Sequence, residues 1–491
     1  MSMSVRRFIP VLALLALATS GFVTRAAAED AKELTPNAWY MSGNLYFQQK
    51  VYDKAEDAYH HAVMGDTANA QYRSRWANAL CEVGKLRLAE TPNMPDTAKR
   101  LEAIRGLSDL YAQAYAQFEK AIALDPDKMT GEAGDNRAHY WAEMYKQAQT
   151  LFKNSAFEDA LEYFRLLTVL DPTDPQGLFQ VGYTLDKLGK SKEGVNTAND
   201  AKALALKRVA DMGDCSQFKS KQRQAECKKK IDGFQIVVRN VDSFTRARNV
   251  AIADQAFEAF SNLAETKVDE RHSLLMDAEK HYKLGLEQDP KLVGARFSLG
   301  NVYFALAKTY EGAKTDTAGA NPWYRSAYRT FDQIAAADSV AQETKVDATF
   351  NSASAAYAAG DWKKALDAYK DYINLKCREG EPYLQVALCY QELKQNAERA
   401  PYYMTYNALS PKGEKVNLAE AKTTLANRFQ GSDAAKALTE LGDPDEVKNF
   451  LASKDAPEVM TLIWWSKGIV RHYIEGKQQG EVKFTPCGAT K

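Results

Sequence analysis

The chain has 491 residues with 64 basic against 64 acidic side chains, a balance that gives no reason to expect nucleic acid as a general partner. Read from its start, it shows Arg6 and Arg7, an apolar run from Phe8 to Ala18, and a small-residue site at Ala26-Ala27-Ala28. This is the pattern of a cleaved secretory signal over residues 1–28. The run is shorter than the ~20 residues of a spanning helix. Phe8 directly follows the arginine pair, which favours the general export route over the twin-arginine one. No cysteine stands at the end of the signal to take a lipid anchor. Removing 1–28 takes away Arg6, Arg7 and Arg25, leaving 61 basic against 64 acidic residues, a net charge of −3.

Beyond the signal an aromatic residue recurs at Tyr59, Phe118, Phe164, Tyr282 and Tyr403, and in all but the first a proline follows eight residues later, at Pro126, Pro172, Pro290 and Pro411. Proline cannot extend a helix and drives its predecessor out of helical geometry, so a helix with the same ending is laid down repeatedly. The unit is clearest from Pro36, where Trp39, Gly43 and Tyr46 share one helical face, Ala55, Tyr59 and Ala62 share the next, and Tyr52 lies between. Small residues let two antiparallel helices approach while the aromatics fill the space around them. This resembles the tetratricopeptide repeat, a 34-residue helix-turn-helix.

Further copies run from Trp141 to Asp174 (Ala148, Ala160, Phe164), from Val346 (Gly360, Ala365, Tyr369) and from Gly380 (Ala387, Tyr390, Tyr403). Partial ones include a second helix at Ala114 to Pro126, cut off from its partner around Tyr72 to Gly84 by a loop with Pro92 and Pro95, and a first helix at Phe297, Gly300 and Tyr303 that resumes only at Ala327 and Phe331. The resemblance therefore implies an all-α solenoid of about eight hairpins over residues 36–412. Its expected divisions are N-terminal hairpins over 29–206, a basic insertion over 207–250 and further hairpins over 251–412. The family is common in the bacterial periplasm, which makes that the expected compartment.

From Lys207 to Arg248 there are eleven Lys or Arg against five Asp or Glu, including Lys228-Lys229-Lys230, where the repeat pattern is lost. The stretch reads either as a solvated insertion or as a contact for an acidic partner or anionic lipid headgroups; the lack of interleaved aromatics argues against nucleic-acid stacking. Cysteines Cys215 and Cys227 are twelve apart, as are Cys377 and Cys389. Along one helix that spacing spans ~18 Å, far beyond disulfide reach, so a bridge needs an intervening turn. Gly380-Glu381-Pro382 supplies one for Cys377–Cys389, the favoured bridge, and none is evident for Cys215–Cys227, the second candidate. Cys81 and Cys487 stay unassigned.

After Pro411 a linker helix is expected over 413–431, then a module over 432–491. Its helix runs from Ser432 to Leu441 and breaks at Gly442-Asp443-Pro444. Strands follow at Val447–Leu451, Val459–Ser466, Ile469–Ile474 and Glu481–Phe484. This small α+β unit, a helix with an antiparallel meander, resembles the SmpA/OmlA type of small outer-membrane lipoprotein module. That resemblance implies a role in outer-membrane assembly.

No catalytic or metal-binding motif appears, the six histidines are scattered, and no cofactor is expected. In the tetratricopeptide family the fifth and twelfth positions of each first helix point to a binding groove. They correspond here to Tyr40 and Phe47, Tyr145 and Phe152, Phe297 and Phe304, and Phe350 and Tyr357, with Asn44, Asn301 and Lys153 beside them. The rings read as binding anchors or as aromatic filler of the repeat interior. The functional expectation is a non-enzymatic adaptor for a protein or peptide partner in the cell envelope. The alternative is a carbohydrate- or nutrient-binding protein built on the same repeats.

Overall fold

The computed structural model describes residues 34–486, apart from 219, 315, 452–456 and the side chains at 313 and 314. The expected signal at 1–28 and Cys487 lie outside the described residues. By its contacts the chain forms two compact units, Met1–Thr150 with Val169–Pro172, and Leu151–Thr168 with Thr173–Lys491.

In the first unit, α1 (Pro36–Gln48) pairs with α2 (Tyr52–Gly65), α2 packs on α3 (Ala70–Glu90), and α3 packs on α5 (Ser108–Leu124). Thr35 caps α1 by accepting the Ala38 N–H, with Pro36 fixing the first helical φ. The expected proline loop between α3 and α5 holds a further helix, α4 (Thr97–Arg105), capped by Asp96. One packing device recurs. A Cβ on Gly43 would lie 2.6 Å from the Tyr59 ring, and one on Gly84 would lie 2.6 Å from Tyr111. The bare glycine is what lets the ring of the partner helix lie flat on the backbone.

Helices α6 (Pro126–Lys153) and α7 (Phe157–Leu170) follow. The second unit then continues with α8 (Pro175–Lys187), α9 (Ser191–Met212), α10 (Lys221–Asn262), α11 (Val268–Gln288), α12 (Val293–Lys314), α13 (Thr317–Ala335), α14 (Gln342–Ala358), α15 (Trp362–Leu375), α16 (Glu381–Glu392) and α17 (Asn396–Leu409). From α8 to α17 each helix packs on the one before and the one after. Among the described residues, the inter-helix turns at Lys50, Ser155, Gly189, Gly360 and Lys394 each pass through one residue of positive φ. The same left-handed step thus closes hairpins in both units, whatever residue supplies it.

The stretch 207–250 is helical throughout its described length except at a short turn. It comprises the end of α9, a 3-10 turn at Cys215–Gln217 and the first two-thirds of α10. From Val237 onward α10 belongs to the core, with Val241 and Phe244 packed against Phe179, Val195 and Ala198. The cysteines reverse the expected order. Cys215 and Cys227 are bridged with Cα atoms 5.7 Å apart, because Gly213, at φ 58°, ends α9 and folds the chain back before α10 begins. Cys389 is a free, buried thiol, so Cys377, which is disulfide-bonded, is not joined to it. From Glu381 to Cys389 α16 climbs ~12 Å, carrying Cys389 away from the turn.

After α17 come β1 (Glu414–Lys415), α18 (Leu418–Arg428), α19 (Asp433–Leu441), β2 (Glu446–Leu451), β3 (Glu458–Trp464), β4 (Ile469–Ile474) and β5 (Lys477–Lys483). The strands form one antiparallel meander in chain order. Period-two alternation gives it two apolar faces. Val447, Leu462, Trp464 and Tyr473 pack under Ala421, Leu425, Ala434 and Ala437 of α18 and α19. Ile463, Trp465, Val470 and Val482 join Tyr383 and Val386 of α16. The sheet therefore covers the end of the helical stack, as a solenoid's last repeat requires. His472, fully buried, pins it there: Nε2 lies 2.9 Å from Thr405 Oγ1 on α17 and Nδ1 lies 2.9 Å from Thr461 Oγ1 on β3. Burial lowers its pKa to about 3.

Candidate functional site

The eight rings expected at the groove positions are all half-buried. Tyr40 stacks on Tyr72 and Phe47 meets Tyr52 edge-on, while Tyr145 stacks on Trp141. Phe152 contacts Phe157 and Tyr183. Phe297 meets Phe331, Phe304 meets Tyr324, Phe350 meets Tyr369 and Tyr372, and Tyr357 meets Trp362. Most of these rings therefore close the gap between neighbouring helices, and each leaves part of its surface outside.

Three of these rings, Phe297, Phe304 and Phe350, come together with Asn301 at two neighbouring hollows on the second unit. The larger, about 840 Å³, is lined by Phe260, Arg271, Asn301, Phe304, Lys308 and Asn351 among others. The smaller, about 400 Å³, is lined by Phe297, Asp347, Phe350, Asn351, Glu379 and Glu381 among others. Asn351 borders both. The helices that position these groups are the end of α10, the start of α11, and the facing surfaces of α12 and α14.

A comparison of equivalent positions shows how the amide at the larger hollow differs from its counterparts. In the first hairpin Asn44 accepts the Tyr59 hydroxyl at 2.8 Å. In the α14–α15 hairpin Ser354 shares a hydrogen bond of 3.2 Å with the Tyr369 hydroxyl. The ring in the matching place on α13 is Phe331, which packs on Gly300 as Tyr59 packs on Gly43, at 2.7 Å from a notional Cβ. Phe331 has no hydroxyl. Asn301 is therefore left with its amide directed to no protein group, and among the described residues neither Asn301 nor Asn351 makes a side-chain hydrogen bond.

The charges differ between the hollows: Arg271, Lys308 and Glu265 line the larger one, and among the described residues the charged groups lining the smaller are all acids. Arg271 is committed: its guanidinium lies 4.2 Å from the Phe260 ring centroid and donates to the carbonyls of Phe260 and Leu263. Lys308 is exposed, paired with Glu311 at 3.0 Å and leaning over Phe304 and Tyr324. The smaller hollow is acidic, with Asp347, Glu379 and Glu381, and Glu379 accepts the Tyr372 hydroxyl at 2.8 Å. Asn351 and Lys308 escaped the sequence reading, although Asn351 adjoins Phe350 and Lys308 stands one helical turn beyond Phe304.

Residues 36–64 match the tetratricopeptide repeat. That segment is α1 and α2, the hairpin whose Gly43–Tyr59 packing and left-handed turn recur further along. No curated protein matches the chain. Among solved structures, the P58(IPK) TPR domain is 16% identical, with 76% of this chain and 92% of that one covered and a TM-score of 0.21. A chain of the APC/C hetero-tetramer Cut9-Hcn1 is 11% identical over 77% and 73%, with a TM-score of 0.23. Human IFIT1, as a dimer with PPP-AAAA, is 15% identical over 78% and 92%, with a TM-score of 0.18. At such scores the likeness carries no functional argument, and the site stands on this chain's own geometry.

Proposed function

We propose that this protein is an exported, non-enzymatic scaffold that holds an extended segment of a protein partner across α12 and α14. The observation that carries this reading is the pair of uncommitted amides, Asn301 and Asn351, beside half-buried aromatic rings in a hollow of about 840 Å³. An asparagine amide both donates and accepts, which matches the alternating N–H and C=O of a peptide backbone, while Phe304 offers the apolar contact that anchors a side chain. Asp347, Glu379 and Glu381 at the smaller hollow favour a basic end of the chain there. Nothing among the described residues favours the sugar-platform alternative.

Export is supported by the residue pattern of 1–28 and by the disulfides at Cys215–Cys227 and Cys377, since such bridges persist in oxidising compartments. Action in envelope assembly is supported by the resemblance of the C-terminal meander to the SmpA/OmlA module. Intact-mass measurement of protein from an envelope fraction should give a chain beginning near Glu29; an uncleaved chain would contradict export. For the site, the partner captured by the parent protein is titrated against Asn301→Ala/Asn351→Ala. Affinity should fall on the order of tenfold or more with the melting curve unchanged, and unaltered affinity would remove this hollow from the function.

A further inference from the structure

The far end of α10 carries a second surface, separate from the hollows. Residues 221–233 of α10 are exposed or half-exposed with the exception of Cys227, and core packing along this helix begins only at Phe234 and Val237. Alongside it lies the end of α9, closed by the turn at Cys215. The disulfide ties that turn to the second turn of α10, and Gln224 Nε2 adds a bond of 2.7 Å to the Phe218 carbonyl. The result is a cross-linked tip that ends in the half-buried ring of Phe218.

This tip is basic and only partly compensated, with the Asp214 carboxylate within electrostatic reach of Lys228. Lys207, Lys221, Arg223, Lys228, Lys229 and Lys230 are all exposed, and among the described residues none of them forms an ion pair. Nearby acids are fewer: Asp211, Asp214, Glu226 and Asp232. Asp214 is spent on Ser216, accepting its N–H at 2.8 Å and its hydroxyl at 2.5 Å, and Glu226 accepts from Gln222. Lys221 and Lys228, seven residues apart, share one face of α10 with Lys229 beside them. The bridge at Cys227 holds the lysine run that follows it in a fixed place.

We propose that this tip docks on a membrane surface rich in anionic lipid headgroups. Three observations choose that occupant. The charge is carried mainly by lysine, a compact point charge suited to a diffuse anionic field, whereas paired recognition of a single carboxylate or phosphate calls for the arginine fork. The lysines stand on convex helix flanks, so the site is shaped for a broad surface rather than an inserted peptide. The lone aromatic at the tip, Phe218, offers one apolar contact at a headgroup boundary and no stacking platform for nucleic-acid bases.

The test is co-sedimentation of the full chain with vesicles of phosphatidylcholine mixed with phosphatidylglycerol, against phosphatidylcholine alone, over a range of salt. The parent should bind only the anionic vesicles and release as salt rises. Lys221→Gln/Lys228→Gln/Lys229→Gln should weaken binding on the order of a hundredfold, while Lys99→Gln/Lys120→Gln/Lys146→Gln, three exposed lysines elsewhere, should bind as the parent does. Circular dichroism melts of both variants should match the parent. Equal binding to neutral vesicles, or equal loss in both triple variants, would overturn the proposal. So would failure to bind anionic vesicles while polyglutamate is retained, which would assign the tip to an acidic protein.

Discussion

The α1–α2 hairpin and the α12–α13 hairpin use one packing device to opposite ends. In each, a glycine on the first helix receives a ring from the second, Tyr59 on Gly43 and Phe331 on Gly300. The asparagine that follows the glycine then meets a hydroxyl in one case and none in the other. Loss of a single oxygen leaves the Asn301 amide without a partner inside the protein, so that a ligand would compete for it only with water. The packing of the ring and the pairing of the neighbouring amide are therefore specified by different atoms of the same side chain.

The severest break is steric. Gly43→Leu and Gly300→Leu would each force a side chain into a ring already 2.6–2.7 Å from the Cβ position, and each should cost about 3 kcal/mol of stability in denaturant titrations. If either variant unfolds like the parent, the shared device is misassigned in that hairpin. Acid distinguishes these hairpins from the C-terminal sheet. The folded-state pKa of His472 lies at about 3, below its ordinary 6.5, so its contribution is whole above pH 6.5 and is lost as the pH falls toward about 3. Burial lowers the pKa of His281 as well, in the same direction. Between pH 6.5 and about 5, His472 should account for about 2 kcal/mol. His472→Gln should flatten that slope in melts followed by the fluorescence of Trp464 and Trp465, whereas an unchanged slope would remove His472 as its source.

A comparable loss, about 2 kcal/mol, is expected for Phe350→Ala/Tyr357→Ala, whose rings pack on Tyr372 and Trp362. Binding corrected for the folded fraction then reports how far these rings also serve the smaller hollow; a variant that melts like the parent would show that they are not part of the seam. The smallest effect sharpens the comparison most. Phe331→Tyr supplies the missing hydroxyl to Asn301 and should weaken partner binding about fivefold while slightly raising stability. Tyr59→Phe should lower stability by about 1 kcal/mol. Opposite signs in the two melts are required, and equal signs would end the comparison.

The glycine–aromatic spacing made the hairpins legible, since helix approach demands small residues at fixed places, and the strands of the meander were legible from alternation and glycine breaks. The site was legible only by halves. Position numbers picked out Phe297, Asn301, Phe304 and Phe350, but whether Asn301 is occupied depends on residue 331, thirty positions away in a hairpin with a lengthened first helix. The cysteines misled because Gly380-Glu381-Pro382 is a conspicuous turn, while Gly213-Asp214-Cys215-Ser216, an equally good one, sits in a charged stretch where the helical pattern had faded. Disulfide reach follows from how far each helix climbs after its turn, which spacing alone does not encode.

Helix α10 spans both surfaces described here, with Phe260 at the larger hollow and Lys228 near the tip. The intervening thirty-two residues make a rod of ~48 Å. Between its two ends the helix is gripped by the core, through Val237, Val241 and Phe244, and by α9 and α11 on either side, so the two ends are held at a set separation by one continuous element, and whatever meets one end meets it at a fixed distance from the other.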